Sequence, residues 1–270
     1  MKYLLILTGL FLISAGNPNV NPDKKKRMED NPDIKLTVLY DNYQFDKNFK
    51  NSWGFSCLIE GVGKTILFDT GGKDGNLMHN FRAAGKDPAD VDLVILSHNH
   101  WDHFGGLPEF LESKTGIEIY MPASFPDKIK KDIESMGAHP VEIKDFQKIA
   151  DHVWTTGEMG ESIIEQSLVI ETSGGLVILT GCAHPGIEII VEKAKQKKGD
   201  EVLLVMGGFH LLRTGSNAVE TIAREFRNKN VKYASPTHCS GDGTISIFRE
   251  TFDNHYIQTG AGKVINTADL

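Results

Sequence analysis

Short apolar runs and amphipathic stretches alternate along the chain from about residue 35 onward. Runs of strand length, many of them rich in β-branched residues, predict strands at 35–40, 55–59, 65–68, 92–97, 117–120, 167–171, 176–180, 201–206 and 231–234. Apolar positions that recur on one face predict helices at 127–136, 186–198, 216–229 and 244–252, the third capped by Ser216. Because strands come first and then mix with helices, two mixed sheets with helices on their outer faces fit better than a doubly wound sheet.

The segment before residue 35 has a different pattern. Lys2 precedes an almost unbroken apolar run at 3–13, which is followed by small residues at 14–16 and then by a polar stretch rich in proline. This order is typical of a cleaved signal peptide, and the run is short for a permanent membrane span. We therefore predict a signal peptide at 1–16, a polar flexible leader at 17–34 and a folded domain at 35–270. The protein is then exported, to the periplasm or the medium, without a stable membrane anchor; a buried N-terminal strand or helix is the alternative.

The composition is that of an ordinary globular domain, with 40% hydrophobic and 24% charged residues. A formal net charge of −7 and the lack of a long basic run argue against a nucleic acid partner. A bound metal would reverse the sign of the charge locally, so we expect a small-molecule substrate that can be anionic. The cysteines Cys57, Cys182 and Cys239 are too few for a disulfide scaffold, and their odd number leaves at least one thiol outside an internal disulfide. The sequence does not indicate an oligomeric state.

Potential metal ligands are concentrated directly after the strand predicted at 92–97. His98, His100, Asp102 and His103 fall within six residues. Neutral imidazole and carboxylate are ligands that zinc and similar ions prefer. If the strand geometry persists, His98 and His100 point the same way, and Asp102 and His103 project around the turn, so one loop can serve two adjacent metals. A polar surface loop is the alternative.

Three further histidines, His184, His210 and His238, follow later predicted strands and lie close to glycine. Strand ends are where ligands gather in mixed sheets, so we expect these histidines to approach the first loop. A structural role in a cap or in the core is the alternative for each. Cys182 and Cys239 stand beside two of them and are either buried small residues or ligands.

The segment His98-Asn99-His100-Trp101-Asp102-His103 resembles the HxHxDH signature of the metallo-β-lactamase superfamily. Asp69, in Phe68-Asp69-Thr70-Gly71-Gly72, is similar to the strand-end aspartate motif of that superfamily. The resemblance extends over about residues 35–260 and implies an α+β four-layer αββα sandwich, with a metal site at one edge between the sheets. Asp69 is then expected to orient a ligand histidine through the second ring nitrogen of that histidine.

Later motifs narrow the resemblance to one branch of the superfamily. The segments 165–168, 181–187, 207–211 and 236–241 resemble the 7,8-dihydropterin-6-methyl-4-(ribofuranosyl)aminobenzene 5′-phosphate synthases. By themselves, Glu165 and Gln166 are expected in an exposed hairpin, and Trp101 is expected to pack beside the site.

The resemblance also implies a set of ligands for two divalent ions, zinc first, with manganese or iron(II) as alternatives. By position, His98, His100 and His184 hold the first ion, and Asp102, His103 and His238 hold the second. Many superfamily members have a bridging aspartate after the strand predicted here at 201–206, and this chain has none there. Three roles are open for His210: it replaces that aspartate, it contacts the substrate, or it supports a metal ligand. Cys182 is expected either to contact the substrate or to support a ligand.

The function expected from these residues is that of an exported metal-dependent hydrolase acting on an ester, phosphoester or lactone. Two metals that share a hydroxide give a nucleophile at neutral pH. Asp102 is the expected catalytic residue, because it both binds a metal and orients the hydroxide. Three alternatives stay open: a transferase of the dihydropterin synthase type, β-lactam hydrolysis, and a non-catalytic metal-binding protein of the envelope.

Overall fold

The structure, a computed structural model, describes residues 31–199 and 201–270. The predicted signal peptide at 1–16 and most of the predicted leader at 17–34 lie outside the described residues. The last residue of that leader, Ile34, is only 2% exposed. Its backbone N–H donates to Thr267 Oγ1 at 2.9 Å, and the Thr267 N–H donates to its carbonyl at 3.0 Å. The prediction of a flexible leader is therefore wrong at its C-terminal end, which packs on the domain.

Two mixed β-sheets form the centre of the domain. The seven-stranded sheet has the order β13-β1-β2-β3-β4-β5-β6 and the six-stranded sheet the order β12-β11-β10-β9-β8-β7. The strands of the first sheet are β1 (Lys35–Tyr40), β2 (Ser56–Glu60), β3 (Ile66–Phe68), β4 (Leu93–Ile95), β5 (Glu118–Pro122), β6 (His139–Ile143) and β13 (Val264–Asn266). The strands of the second are β7 (Gln147–Ala150), β8 (Val153–Thr155), β9 (Leu168–Thr172), β10 (Gly175–Thr180), β11 (Val202–Gly208) and β12 (Val231–Thr237).

The helices cover the outer faces of the two sheets. They are α1 (Asn76–Ala83), α2 (Trp101–Phe104), α3 (Leu107–Ser113), α4 (Asp127–Ser135), α5 (Ile187–Lys198), α6 (Ser216–Asn228) and α7 (Asp242–Phe252). Apolar residues of α1, α3 and α4 pack on the first sheet, and those of α5, α6 and α7 pack on the second. The predicted αββα sandwich is therefore confirmed. No helix within 31–199 or 201–270 is long and apolar enough to span a bilayer.

Both sheets are buried on two faces because successive side chains in a strand point in opposite directions. In β4, Leu93 and Ile95 face the core between the sheets, whereas Val94 faces the helices. In β10, Val177 and Leu179 face the same inter-sheet core from the other side. This double burial explains why the strands are almost continuously apolar, without the polar alternation of a half-exposed sheet.

Several elements differ from the sequence prediction. Gly215, and not Ser216, occupies the N-cap of α6, and no side chain caps that helix. The elements α1, α3, β6, β7, β8 and β13 were not predicted. The edge strand β6 is mostly solvent-accessible and contains Pro140, so it lacks the apolar run that marks the central strands.

Candidate metal centre

The site lies at one edge of the sandwich, where strands of both sheets end. In the first sheet, β3 and β4 run parallel and lead into the segments that carry Asp69 and His98. In the second sheet, β10, β11 and β12 run parallel and lead into the segments that carry His184, His210 and His238. Because parallel strands end on the same side, loops distant in sequence meet at this edge.

Asp69 is the centre of a buried hydrogen-bond network. Its carboxylate accepts from the backbone N–H of Ser97, from Ser97 Oγ and from His103 Nδ1, each at 2.7 Å. The last bond leaves His103 Nε2 free to face the site, since the other ring nitrogen is already engaged. Burial lowers the pKa of His103, but the charge and hydrogen bond of Asp69 more than offset this and raise the pKa to about 9. A metal ion that binds at Nε2 must therefore displace a proton.

Three histidines form one group of converging ring nitrogens. His98 Nε2 lies 2.9 Å from His100 Nδ1, and the donor atoms of His98, His100 and His184 all lie within 4.8 Å of one another. Burial, reinforced by neighbouring imidazoles, lowers the pKa of all three and brings the pKa of His184 to about 3. These imidazoles are therefore neutral at pH 7, which is the form that binds metals.

A second group joins Asp102, His103 and His238, again with donor atoms within 4.8 Å. Asp102 Oδ2 lies 3.6 Å from His103 Nε2 and 3.4 Å from His238 Nε2. Burial raises the pKa of Asp102, but His238 and His103 outweigh it and hold the pKa at about 2. His238 Nδ1 contacts Asn42 Oδ1 at 3.0 Å, so its Nε2 also points inward.

The residues present fit divalent ions. His184 Nε2 is buried and has no hydrogen-bond partner within the described part of the chain. A buried nitrogen of this kind is costly unless something binds it, and a metal ion would satisfy it. The donors are imidazoles and one carboxylate, which suit zinc, manganese and iron(II) alike. The structure thus brings together the six residues that the resemblance assigns as ligands, in two groups of three.

Glu165 is buried beneath the loop that carries His184, and the expectation that it lies in an exposed hairpin is wrong. Its carboxylate accepts the backbone N–H groups of Cys182, Ala183 and His184 at 2.8, 2.9 and 2.8 Å. Burial raises the pKa of Glu165, and these three bonds oppose the shift. Glu165 therefore holds the loop by its backbone and sets the direction of the His184 ring.

Gln166 is equally buried, so the same expectation is wrong for it. Its side-chain amide donates to the Leu96 carbonyl at 2.8 Å and accepts from Thr155 Oγ1 at 2.6 Å. Its backbone N–H donates to the Ser97 carbonyl at 2.9 Å. Gln166 thus ties the end of β4 to the second sheet, directly beside His98.

The two cysteines of the site, Cys182 and Cys239, are buried behind the histidines. Cys182 Sγ lies 3.2 Å from His103 Nε2 and 3.4 Å from His238 Nε2. Cys239 forms a further group with Cys182 and His210, whose donor atoms lie within 4.8 Å of one another. Burial raises the pKa of the Cys182 thiol well above its usual value, whereas hydrogen bonds from Cys182 and His210 overcome burial and lower the pKa of Cys239.

His210 lies at the rim, and its ring centroid is 4.2 Å from that of His184. The backbone is left-handed at His210, with φ of 52°, and also at Asp69, Ala183 and His238. These are four of the seven non-glycine residues with positive φ in the described ranges. Strained backbone of this kind costs about 1–3 kcal/mol per residue and concentrates at functional sites.

Two tryptophans near the site in structure or in sequence have exposed indole rings. Trp53 is 44% exposed, and its ring centroid lies 5.3 Å from that of His238. Trp101, which stands between His100 and Asp102 in sequence, is 60% exposed, and its ring lies beside Gly72, so it does not pack into the core.

Two grooves flank the segment 162–163 and reach the histidines. The larger, of about 620 Å³, is lined by Glu158, Met159, Gly160, Glu161, Ser162, Ile163, His184, Pro185, Ile189 and Lys193. The smaller, of about 220 Å³, is lined by Asn99, His100, Ser124, Phe125, Ser162, Ile163 and Ile164. The ring centroids of His100 and His184 are 5.0 Å apart, so the two grooves meet at the first histidine group.

Sequence reasoning missed Asn42, Trp53 and the role of Glu165. Asn42 binds His238 from 196 positions away, and an asparagine in a polar loop carries no local signal of such a contact. Glu165 follows two isoleucines just before a predicted strand, and a carboxylate in an apolar run is a signal of burial that could have been used.

The chain matches the family model of the metallo-β-lactamase superfamily over residues 54–238. It therefore belongs to the metallo-β-lactamase superfamily, a superfamily of enzymes that typically bind divalent metal. The match spans both histidine groups, from the segment before Asp69 to His238 itself.

Particular relatives extend this result over most of the chain. The 7,8-dihydropterin-6-methyl-4-(β-D-ribofuranosyl)-aminobenzene-5′-phosphate synthase of Methanocaldococcus jannaschii is 28% identical, with 86% of this chain and 96% of that protein covered. A solved structure described as a metal-dependent hydrolase of the β-lactamase superfamily has a TM-score of 0.74 at 24% identity, covering 86% of this chain and 98% of its own. YhfI of Bacillus subtilis, a metallo-β-lactamase fold protein, has a TM-score of 0.65 at 16% identity, covering 87% and 99%. The two structures support the fold.

Proposed function

We propose that the protein is a metal-dependent enzyme that joins two small substrates, in a group transfer of the kind named for the synthase relative. The observation that carries this proposal is the pair of grooves that meet at His100 and His184. A hydrolase needs a site for one organic substrate and water, whereas a transferase needs two organic substrates side by side. The similarity to the synthase covers 86% of this chain, which is consistent with the same kind of reaction.

The mouth of the site suits aromatic substrates. The relative's name contains a dihydropterin and an aminobenzene, each of which presents a flat ring. Trp53 offers an exposed indole face beside His238, and aromatic rings stack on such faces with a gain of about 0.5–1.5 kcal/mol beyond simple burial. We therefore propose a planar aromatic substrate, bound without any nucleic acid or membrane partner.

Divalent ions held by the two histidine groups would polarise a substrate oxygen and neutralise charge on a leaving group. The chain's own residues do the rest. Asp69 and Asn42 hold His103 and His238 with Nε2 inward, and Glu165 holds the His184 loop. Asp102 is ionised at pH 7, because its pKa is about 2, so its carboxylate can bind a divalent ion and accept a hydrogen bond that orients a nucleophile within the site.

Hydrolysis of an ester, phosphoester or lactone is a second candidate. It is favoured by the N-terminal apolar run that indicates export, because a biosynthetic transferase is expected to work where its phosphorylated intermediates are made. N-terminal sequencing of the protein recovered from cell fractions tests export: a mature chain that begins near residue 17 outside the cytoplasm would favour hydrolysis.

The deciding experiment compares two substrate panels on metal-analysed protein. One pairs a dihydropterin that carries a leaving group on its 6-methyl carbon with an aminobenzene ribosyl phosphate, and mass spectrometry looks for the joined product. The other contains generic phosphoesters, lactones and nitrocefin. A joined product that requires both partners supports the transferase; turnover of a single ester with no joined product supports the hydrolase. Full activity in a metal-free preparation contradicts both.

A groove-filling variant tests whether both grooves bind substrate. Ile189 lines the larger groove and is 52% exposed, so Ile189→Trp should raise KM for one of the two substrates several-fold and leave the other unchanged. Val264→Trp is the matched control, because Val264 is 45% exposed on the edge strand β13, away from both grooves. Equal KM values for Ile189→Trp and wild type would remove the larger groove from the proposal.

A further inference from the structure

We propose that Cys182 is a metal ligand, which binds as a thiolate between the two histidine groups. The proposal rests on the proposed function only in requiring that the site holds divalent ions; it is independent of the reaction. It adds a sulfur donor to the six nitrogen and oxygen ligands, and nothing in the resemblance assigns that role to this cysteine.

The sulfur of Cys182 lies at coordination distance from two ligand nitrogens. Cys182 Sγ lies 3.2 Å from His103 Nε2 and 3.4 Å from His238 Nε2, and those two nitrogens are 3.2 Å apart. Donor atoms around a tetrahedral zinc ion lie roughly 3.3–3.6 Å apart, as follows from its usual bond lengths. The three atoms therefore form a triangle of nearly the size expected for one face of a coordination tetrahedron.

The imidazoles of His103 and His238 are oriented toward the sulfur. Asp69 engages Nδ1 of His103 and Asn42 engages Nδ1 of His238, so both Nε2 atoms are directed at the sulfur by independent contacts. Cys182 Sγ also belongs to a group with His98 and His103 whose donor atoms all lie within 4.8 Å. Since His98 is in the first histidine group and His103 in the second, the sulfur is placed to bind ions in either group.

The loop that carries Cys182 is held in place by hydrogen bonds and close packing. The Cys182 backbone N–H is one of the three that Glu165 accepts, and its side chain is only 4% exposed. Across the loop, a side chain at Gly208 would start 2.4 Å from the Gly181 carbonyl and 2.7 Å from Cys239 Sγ. The end of β11 therefore has no room for a ligand of its own, and Cys182 is the nearby donor that faces the histidines.

A thiolate ligand changes metal preference. Soft sulfur donors favour zinc and cobalt over manganese and magnesium, whereas the imidazoles and Asp102 alone discriminate less. We expect wild-type protein to prefer zinc to manganese at least tenfold more strongly than the Cys182→Ser variant does, in competitive equilibrium dialysis.

The direct test is the spectrum of the cobalt-loaded full chain. A Cys–Co²⁺ bond gives an intense near-ultraviolet charge-transfer band that histidine and carboxylate ligands do not give. We expect this band in the wild type, its loss in Cys182→Ser and its retention in Cys239→Ser, the matched control for a second buried thiol of the site. The absence of the band in the wild type would overturn the inference without any variant, whereas its presence is assigned to Cys182 by comparing the two serine variants.

Cys182→Asp provides a second variant, because a carboxylate can bind the ion without the band. It should retain more bound cobalt than Cys182→Ala while giving no charge-transfer absorption. Cobalt bound without a thiolate band in the wild type would overturn the inference and leave the proposed function intact. A band that is lost in Cys239→Ser but kept in Cys182→Ser would also overturn it. Failure to bind cobalt at all would instead contradict the proposed function.

Discussion

Replacing Asp69 by asparagine should reverse the tautomer of His103 without removing the side chain. The Asp69 oxygen that contacts His103 Nδ1 and Ser97 Oγ would become an NH2 group, while the other oxygen still accepts the Ser97 backbone N–H. Ser97 Oγ can accept from that NH2 group. His103 Nδ1 can do so only by giving up its proton, which moves the hydrogen to Nε2, where a metal would bind.

The size of the effect follows from two quantities. Removing the partner that orients a ligand histidine typically lowers metal affinity 10–100-fold, which is about 1.4–2.7 kcal/mol. In the metal-free protein, the pKa of His103 is about 9, compared with about 6.5 for an unperturbed histidine. The raised pKa stabilises the fold by about 2–3 kcal/mol at pH 7, and Asp69→Asn should lose most of that stability.

The sign of the pH dependence provides an internal check. A raised histidine pKa stabilises the folded state fully below about pH 6.5, and this stabilisation disappears as pH rises through about 9. The free energy of unfolding of the metal-free wild type should therefore decline across that window. That of Asp69→Asn should change less, because its His103 no longer has a charged partner.

Isothermal titration with zinc at pH 7 and denaturant unfolding of the metal-free protein measure the two effects. Nitrogen NMR of labelled histidine reports which ring nitrogens of His103 carry hydrogen, which should be both in the metal-free wild type at pH 7 and Nε2 alone in Asp69→Asn. Asp74→Asn is the matched control, since Asp74 accepts a hydrogen bond from Tyr40 outside the histidine groups. An Asp69→Asn protein with wild-type zinc affinity and Nδ1–H on His103 would refute the reasoning.

Three further changes have defined outcomes. Glu165→Gln should lower the free energy of unfolding by about 1–3 kcal/mol in a denaturant titration, because an amide cannot accept all three backbone N–H groups. Glu161 is exposed, so Glu161→Gln is the control and should leave that free energy unchanged. Gly208→Asp should destabilise the fold by at least about 1–3 kcal/mol in thermal unfolding, because its Cβ would clash with the Gly181 carbonyl. Gly215→Asp is the control, because Gly215 has open space around it at the N-cap of α6, and it should leave the stability unchanged or raise it. Trp53→Ala should raise KM for the aromatic substrate about 2–10-fold with kcat little changed, and Phe45→Ala, 46% exposed and stacked on Lys263, should leave KM unchanged.

The central part of the fold could be predicted because double burial leaves a clear trace in sequence. Strands such as β4 and β10 are apolar along their whole length, and the ligand loops begin where those runs end. The edge elements could not be predicted in this way. In β6 every residue before Ile143 is exposed or half-buried, so no apolar run marks the strand.

The residues of the site also differ in how far the sequence predicts them. His98, His100, Asp102 and His103 are adjacent in sequence, so their chemistry is visible as a motif. The contacts that orient the rings join positions far apart, as Asn42 and His238 do across 196 residues. Such pairs depend on how the two sheets close over each other, and no local pattern encodes that.

The missing aspartate after β11 has a packing explanation. A side chain at Gly207 would meet the Thr180 carbonyl at 2.1 Å, and one at Gly208 would meet the Gly181 carbonyl at 2.4 Å. The ends of β10 and β11 approach this closely because both positions lack a Cβ, and the same approach sets Cys182 against the histidines. His210 comes from the next turn and lies on His184 at the rim, so its position favours contact with substrate over replacement of a bridging carboxylate. The close approach of the two strands thus excludes a carboxylate from the floor of the site and leaves sulfur there instead.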